Sequence, residues 1–527
     1  MSARSLRLCS AIALAAIGTT ACGGTAALYG SGTATLIPAA SPSPQASATP
    51  GASSSSSTGS SSSTGTGTGG VAAIAFKPCT DSKAPSGALC GIFSAPLDYA
   101  NASGPTIGMR VVKLPAKSTS QRLGSLFTNP GGPGGSGVDF VEEAATSTFA
   151  ALNQRFDIIG WDPRGIREPS GVTCETTSQL DALVHTDPIP DDPAERQTLI
   201  DTSKQLATLC EQKSHDLIRH VSTEEVIQDL DGMRAAVGDS KLTYLGFSYG
   251  TEIGARYAAK YPTHIRAMVL DGDVDPSVSS IDQVAQQSDS LENSFTEFVN
   301  RCKASPSCPL GADPAATINK VLSNLDANSV TASDGRQIGR GEALTAVLAA
   351  MYDTREWQPI QSLFAQAASG DVTGIQLLSD LYTGRSNGGY DHMIEGGTSV
   401  SCLDNSVPAD IATYDTRAAD VQARDPHFGA AAIYGLLPCA YWPVHGADAK
   451  ALSVTGAPTI VLIGATGDPA TPYAWSQSLQ KQIQGSVLVT RNGFGHTSYD
   501  VSSCVSTKVN TYLVSGTAPT DGTTCAS

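Results

Sequence analysis

Short apolar runs alternate with helical stripes along much of this chain. Ile107 to Val112 and Ser125 to Thr128 read as strands. Phe156-Asp157-Ile158-Ile159-Gly160-Trp161-Asp162 reads as a third, ending at a turn with Pro163 and Gly165. Ser222-Thr223-Glu224-Glu225 has the capping-box spacing, in which a serine and a glutamate three residues on satisfy two backbone N–H groups reciprocally. Behind it Val226, Leu230, Met233 and Val237 keep a helical period up to Gly238. Strand Lys241 to Phe247, helix Gly250 to Tyr261 and strand Ile265 to Leu270 follow. Much farther on, Pro458 to Gly464 is an unbroken apolar run suited to a strand buried on both faces. Helix Tyr473 to Ile483 and strand Ser486 to Thr490 come after it.

This alternation predicts an α/β fold with a mostly parallel central sheet. The pattern lapses between about Val274 and Ala457, where helical segments dominate. The expected organisation is a core in two parts, 71–273 and 458–527, with an inserted, mainly helical cap domain over 274–457.

The first 70 residues have a different character. Arg4 and Arg7 precede an apolar run from Leu8 to Ile17, shorter than the ~20 residues a membrane-spanning helix needs. Residues 1–22 therefore read as an export signal. Small residues before Cys22 point to bacterial lipoprotein processing with lipidation of Cys22, although Thr19 stands where an aliphatic residue is usual. Residues 23–70 are mostly Ser, Gly, Thr, Ala and Pro, which bury too little apolar area to offset ordering entropy, so a disordered linker is expected. Location is expected to be extracellular or at the cell surface, with any membrane attachment through the lipid anchor only.

At 527 residues the chain is too long for one small core. A formal net charge of −16 argues against nucleic acid and anionic membrane surfaces as partners. Of twelve cysteines, ten remain once Cys9 and Cys22 are set aside, an even number that suggests disulfides in an oxidising compartment. Neighbour pairing gives Cys79–Cys90, Cys174–Cys210, Cys302–Cys308, Cys402–Cys439 and Cys504–Cys525; spacing alone does not select it. No Cys-x-x-Cys pair or His-x-x-x-His suggests zinc, and no metal or cofactor is called for.

The chemistry centres on Gly246-Phe247-Ser248-Tyr249-Gly250. Between a strand and a helix, such a turn brings the residues two before and two after the serine together, where only glycines fit. It exposes the Ser248 hydroxyl at the carboxyl end of the sheet, where open α/β sheets bind ligands. A serine hydroxyl is a weak nucleophile and needs a base. His496, in the glycine-rich loop Asn492-Gly493-Phe494-Gly495-His496 after the last predicted strand, is the candidate among eight histidines. Asp468, after the strand that ends Ile463-Gly464, is the candidate acid to orient it. Ser248, Asp468, His496 is the chain order expected of such a fold; Asp271 is the runner-up acid. Asn129-Pro130-Gly131-Gly132-Pro133-Gly134-Gly135-Ser136-Gly137 lets backbone approach a ligand closely. From it Gly132 N–H is paired with Tyr249 N–H as the oxyanion hole. A phosphate loop is the rival reading of these glycines, but the Gly-Lys-Ser/Thr ending is missing. Together these residues indicate a serine hydrolase.

The same residues resemble a known family. Asn129–Gly137, Trp161-Asp162-Pro163-Arg164-Gly165, Gly246–Thr251, Leu270-Asp271-Gly272, Gly467-Asp468-Pro469-Ala470-Thr471-Pro472 and Gly495-His496 are similar to motifs of the secreted tripeptidyl aminopeptidases of actinobacteria. These are relatives of the prolyl aminopeptidases within the α/β-hydrolase superfamily. The likeness extends from Pro96-Leu97-Asp98-Tyr99 to the Cys504–Cys525 region and covers roughly residues 75–527. It implies an α/β-hydrolase core, a cap over the site, and release of short peptides from free N-termini. It carries the triad onto Ser248, Asp468 and His496. Ile166-Arg167-Glu168-Pro169 departs from the x-Gly-x-Ser that usually follows Asp-Pro-Arg-Gly, which bears on substrate preference.

An aminopeptidase needs a group for the substrate ammonium, most simply a carboxylate. Glu252, one turn after Ser248, is a candidate, though an acid there also complements the helix dipole. Asp139, Glu142, Glu143, Glu395 and Asp404 are others, and the sequence does not choose. The reading is an exported serine aminopeptidase releasing di- or tripeptides, with peptides or small esters as substrates. A carboxylesterase or lipase-like hydrolase is the nearest rival, and a non-catalytic surface-binding protein on the same scaffold a more distant one.

Overall fold

In the computed structural model, residues 72–81 and 83–526 are described. The signal, Cys22 and the linker lie outside them. Ten strands form one sheet in the order β1-β2-β3-β5-β4-β6-β7-β12-β13-β14. These are β1 (Lys77–Pro78), β2 (Leu89–Pro96), β3 (Thr106–Leu114), β4 (Gly124–Asn129), β5 (Phe156–Trp161), β6 (Leu242–Phe247), β7 (Ile265–Asp271), β12 (Ile460–Gly467), β13 (Val487–Phe494) and β14 (Thr523–Ala526). From β5 to β14 every neighbouring pair is parallel, and β1 to β3 add an antiparallel edge. Two hairpins, β8–β9 (Val330–Thr331, Gln337–Ile338) and β10–β11 (Arg385–Ser386, Gly389–Tyr390), stand apart from this sheet.

The strand period sorts apolar side chains onto two faces. Phe127, Ile159, Tyr244 and Leu462 enter one apolar layer, while their neighbours Leu126, Ile158, Leu245 and Val461 enter the other. Both faces are covered, which is why these strands carry consecutive apolar residues such as Leu126-Phe127, Ile158-Ile159 and Ile460-Val461-Leu462-Ile463. Helix α4 (Thr223–Ala236) begins at the expected capping box, where Ser222 N–H donates to Glu225 Oε2 at 3.2 Å. Helix α5 (Tyr249–Lys260) follows β6 directly.

Between β7 and β12 lie nine helices among the described residues, from α6 (Ser280–Ala304) to α14 (Leu437–Ala440). They share a third apolar cluster that includes Phe298, Trp357, Phe364, Ile375 and Tyr414. This helical layer also recruits Ile189 and Leu199, from the segment between β5 and β6 that holds α2 (Thr177–His185) and α3 (Pro193–Ser214). Arg196 of α3 pairs with Asp415 at 2.6 Å. The sequence reading assigned this stretch to the core alone. Its apolar positions serve both layers instead, since Leu206, Ala207 and Cys210 pack toward the sheet.

All five neighbour disulfides form, Cys79–Cys90, Cys174–Cys210, Cys302–Cys308, Cys402–Cys439 and Cys504–Cys525. Cys402–Cys439 closes a 37-residue separation inside the helical layer, joining α11 (Met393–Asp404) to α14. Restricting a loop of that size in the unfolded chain contributes about 3–4 kcal/mol. Replacing both cysteines by serine is expected to lower the thermal midpoint by several degrees and lower stability by that amount in denaturant titration. An unchanged midpoint would contradict this assignment.

Candidate active site

Ser248 sits between β6 and α5 with φ 55° and ψ −129°, a left-handed conformation unusual for a residue with a side chain. The turn requires its glycines. A Cβ on Gly246 would stand 2.5 Å from Gly250 O, and one on Gly250 would stand 2.7 Å from Asn129 O. Ser248 N–H donates to Asp271 O at 3.0 Å, which ties the turn to the end of β7.

His496 and Asp468 come together at the ends of β13 and β12. His496 Nδ1 lies 2.8 Å from Asp468 Oδ1, and both side chains are shut off from solvent. Asp468 Oδ1 also accepts from the backbone N–H groups of Ala470 and Thr471 at 2.9 Å, and Oδ2 accepts from Thr497 N–H at 3.1 Å. Burial pushes this carboxyl up, but His496 and the backbone donors outweigh it and hold its pKa below the ordinary value. Gly272 joins the two halves of the site. A side chain there would stand 3.1 Å from His496 Cε1, one residue beyond the Asp271 carbonyl that holds Ser248.

Asp271, the runner-up acid, is occupied elsewhere. Its carboxylate accepts from Ser498 N–H at 3.0 Å and Tyr499 N–H at 2.8 Å. It is fully buried, and burial pushes its pKa up to about 6 against these donors. Asp271 thus shapes the loop after His496, while Asp468 contacts the ring.

The glycine loop lies across from Ser248. A Cβ on Gly131 would meet Ser248 Cβ at 2.7 Å and Tyr249 N at 3.0 Å. Gly131 N–H is engaged by Asn129 Oδ1 at 2.9 Å. Gly132, with φ 117°, follows it and borders both cavities that open on Ser248. Asp162, from the Trp161–Gly165 motif, anchors this loop by accepting from Ser136 Oγ at 2.5 Å and Val138 N–H at 3.2 Å. Arg164, fully buried, makes a fork to Asp229 at 2.6 and 2.7 Å. The sequence reading used that motif for a strand-ending turn and for resemblance. Its structural work follows from a buried acid and a buried guanidinium, each of which must be paired.

Of six candidate carboxylates for an ammonium, the structure brings two to Ser248. Glu252 and Asp404 both line a cavity of about 180 Å³ with Ser248, Tyr249 and Trp475. Glu252 pairs with Arg256 at 2.8 Å. Asp404, at the end of α11, accepts from Thr223 N–H at 2.7 Å, and Thr223 Oγ1 also meets the Tyr249 hydroxyl. Burial and then the nearby Glu252 charge push the Asp404 carboxyl up to about 7. The other four lie outside both cavities. Asp139 pairs with Arg167, Glu395 accepts from Cys174 and Glu175 N–H groups, and neither Glu142 nor Glu143 lines either space. A second cavity of about 510 Å³ opens on Ser248 past Tyr352, Tyr382, Met393 and Ile394.

Tyr352, at the end of α8 (Arg340–Met351), was not anticipated. Its carbonyl accepts from His496 N–H at 2.8 Å, and its ring meets the imidazole edge to face at 5.3 Å. No local pattern marks it, because the contact spans the helical insertion.

Residues 425–525 match the family model described as TAP-like protein. Serine protease Hip1 of Mycobacterium tuberculosis is 33% identical over 482 residues, covering 86% of this chain and 91% of the relative. Carboxylesterase B of the same organism is 32% identical, covering 83% and 86%. Tripeptidyl aminopeptidase of Streptomyces lividans is 29% identical, covering 86% and 87%. Among solved structures, esterase E22 is 16% identical, covering 81% of this chain and 100% of that one at a TM-score of 0.36. The chain is a serine hydrolase of the α/β-hydrolase fold and belongs to the family of tripeptidyl aminopeptidase-like proteins.

Proposed function

We propose that this protein is an exported serine aminopeptidase that releases short fragments from free peptide N-termini through an acyl-enzyme on Ser248. The observation that carries the reading is the cavity shared by Ser248, Glu252 and Asp404. A peptide N-terminus brings a cation that these two acids can pair with, and a neutral ester brings none. Five disulfides support an oxidising location outside the cytosol. Relatives with both peptidase and esterase names leave the choice of substrate to the site itself.

In this mechanism Ser248 Oγ attacks the scissile carbonyl carbon. His496 takes the hydroxyl proton on Nε2 and delivers it to the leaving amine. Asp468 holds Nδ1 and stabilises the imidazolium. Gly132 and Tyr249 N–H groups receive the developing oxyanion, a contribution worth ~10²–10³ in turnover per donor. Water, activated by the same imidazole, then hydrolyses the ester and frees Ser248.

Three outcomes follow. An amide of a free-amine dipeptide should be cleaved while its N-acetyl twin is not, and Ser248→Ala should abolish cleavage. Turnover of a short-chain ester with neither amide cut would sink the aminopeptidase reading in favour of an esterase. Glu252→Gln should raise KM for the free-amine substrate about 10- to 100-fold, the worth of a charged hydrogen bond, with a smaller change for a neutral ester. Asp404 is protonated below about 7 and then adds no negative charge. KM for the amine substrate should therefore rise as pH falls through 7, and Asp404→Asn should flatten that rise. A pH-independent KM in the parent would contradict the role of Asp404.

A further inference from the structure

A donor aimed at a developing oxyanion must be fixed before the reaction, because its value lies in not having to reorganise. The ends of the glycine loop are fixed by hydrogen bonds. Gly135 N–H donates to Gly131 O at 3.1 Å, and Asp162 accepts from Ser136 and Val138 beyond it. Between them, Gly132-Pro133-Gly134 makes no backbone-to-backbone hydrogen bond among the described residues. Yet this is the segment that carries the Gly132 N–H.

Direct contact with the helical insertion takes that place. A Cβ on Gly397 of α11 would stand 2.4 Å from Pro133 O. One on Gly134, which has φ 115°, would stand 2.6 Å from Met393 O at the start of the same helix. Helix and loop can therefore meet only through glycine on each side. Gly396 approaches Gly165 O in the same way, with its Cβ position 2.6 Å away, and Gly165 belongs to the motif whose Asp162 anchors the loop. Two adjacent glycines are poor choices for a helix interior, and here close approach of backbone explains both.

We infer that α11 is a backstop for the oxyanion loop, with Gly397 the positioning residue that lets the helix hold Pro133 and so aim Gly132 N–H. The insertion then contributes to turnover as well as to substrate binding. This rests on the role proposed above for Gly132, and it holds for peptide and ester substrates alike.

A backstop must itself be held, and α11 is held at both ends. Glu395 accepts from Cys174 N–H and Glu175 N–H at 2.6 and 2.7 Å near its start. Asp404 accepts from Thr223 N–H at 2.7 Å at its end, and Cys402–Cys439 ties it to α14. On the opposite side the loop meets the nucleophile turn, where a Cβ on Gly131 would stand 2.7 Å from Ser248 Cβ. The loop is thus closed in between Ser248 and α11.

The test measures turnover of the free-amine dipeptide amide and of a short-chain ester. Inhibition by phenylboronic acid, which forms a tetrahedral adduct on a reactive serine, is measured beside it. In Gly397→Ala the added methyl displaces Pro133, so kcat should fall at least about tenfold on each substrate the parent cleaves, with little change in KM. The inhibition constant of phenylboronic acid should rise by a similar factor. Gly374→Ala, in α10 (Thr373–Thr383), is the control. Its Cβ would stand 2.6 Å from Leu363 Cβ, and it borders neither cavity. It should leave kcat nearly unchanged even where it lowers the thermal midpoint. An unchanged kcat in Gly397→Ala, or an equal loss in Gly374→Ala, overturns the inference. Gly132→Ala separates the two levels of failure. A loss there with none in Gly397→Ala removes the backstop alone, whereas no loss in either also removes Gly132 as donor. Where Gly397→Ala does not fold, Glu395→Ala replaces it, since Glu395 lines neither cavity and the change adds no atom. A lower kcat at unchanged KM is then expected, and an unchanged kcat overturns the inference.

Discussion

The hydrogen bond between Asp468 and His496 is the interaction on which the rest of this site depends. A buried carboxylate is costly unless its lone pairs are met. Here they are met by the imidazole and three backbone N–H groups, two from the turn after β12 and one from the loop after β13. The pair can exist only if both strand ends arrive together, so the parallel register of β12 and β13 is a condition for the chemistry proposed. Arg491 holds the second loop by donating to Phe494 O, Gly495 O and Thr497 O at 3.0, 2.7 and 3.1 Å.

Ser248 is held by a separate set of constraints that converge on the same place. Asp271 joins the two sets, since its carbonyl holds the Ser248 turn and its carboxylate holds the segment after His496. The helical insertion is also part of this arrangement. Tyr352 fixes the backbone of His496, and Asp404 reaches the cavity from α11. In physical terms the insertion supplies a wall, a charge and a brace, and the sheet supplies the reacting groups.

Much of this was legible in the sequence because local sterics write themselves into it. The two glycines around Ser248 answer clashes of 2.5 and 2.7 Å, and strands buried on both faces carry consecutive apolar residues, as in Ile460-Val461-Leu462-Ile463. The choice between Asp468 and Asp271 was less local, since both end strands and precede turns; what separates them is which backbone N–H groups lie nearby. The choice among the ammonium candidates was beyond sequence reasoning, because Asp404 lies 152 residues from Glu252 along the chain and meets it only through packing. A signal for α3 was present and unused: Leu199, Ser203, Leu206, Ala207 and Cys210 keep a helical spacing and are its buried face.

The central claim is that Ser248 is the nucleophile and that His496 activates it. The most direct measurement is labelling with a fluorophosphonate, followed by intact mass and peptide mapping, in the parent protein and in His496→Ala. The account predicts one adduct per chain, on Ser248, formed at a rate that falls at least about 10²-fold without the imidazole. An unlabelled parent protein, or an adduct on another residue, would contradict it.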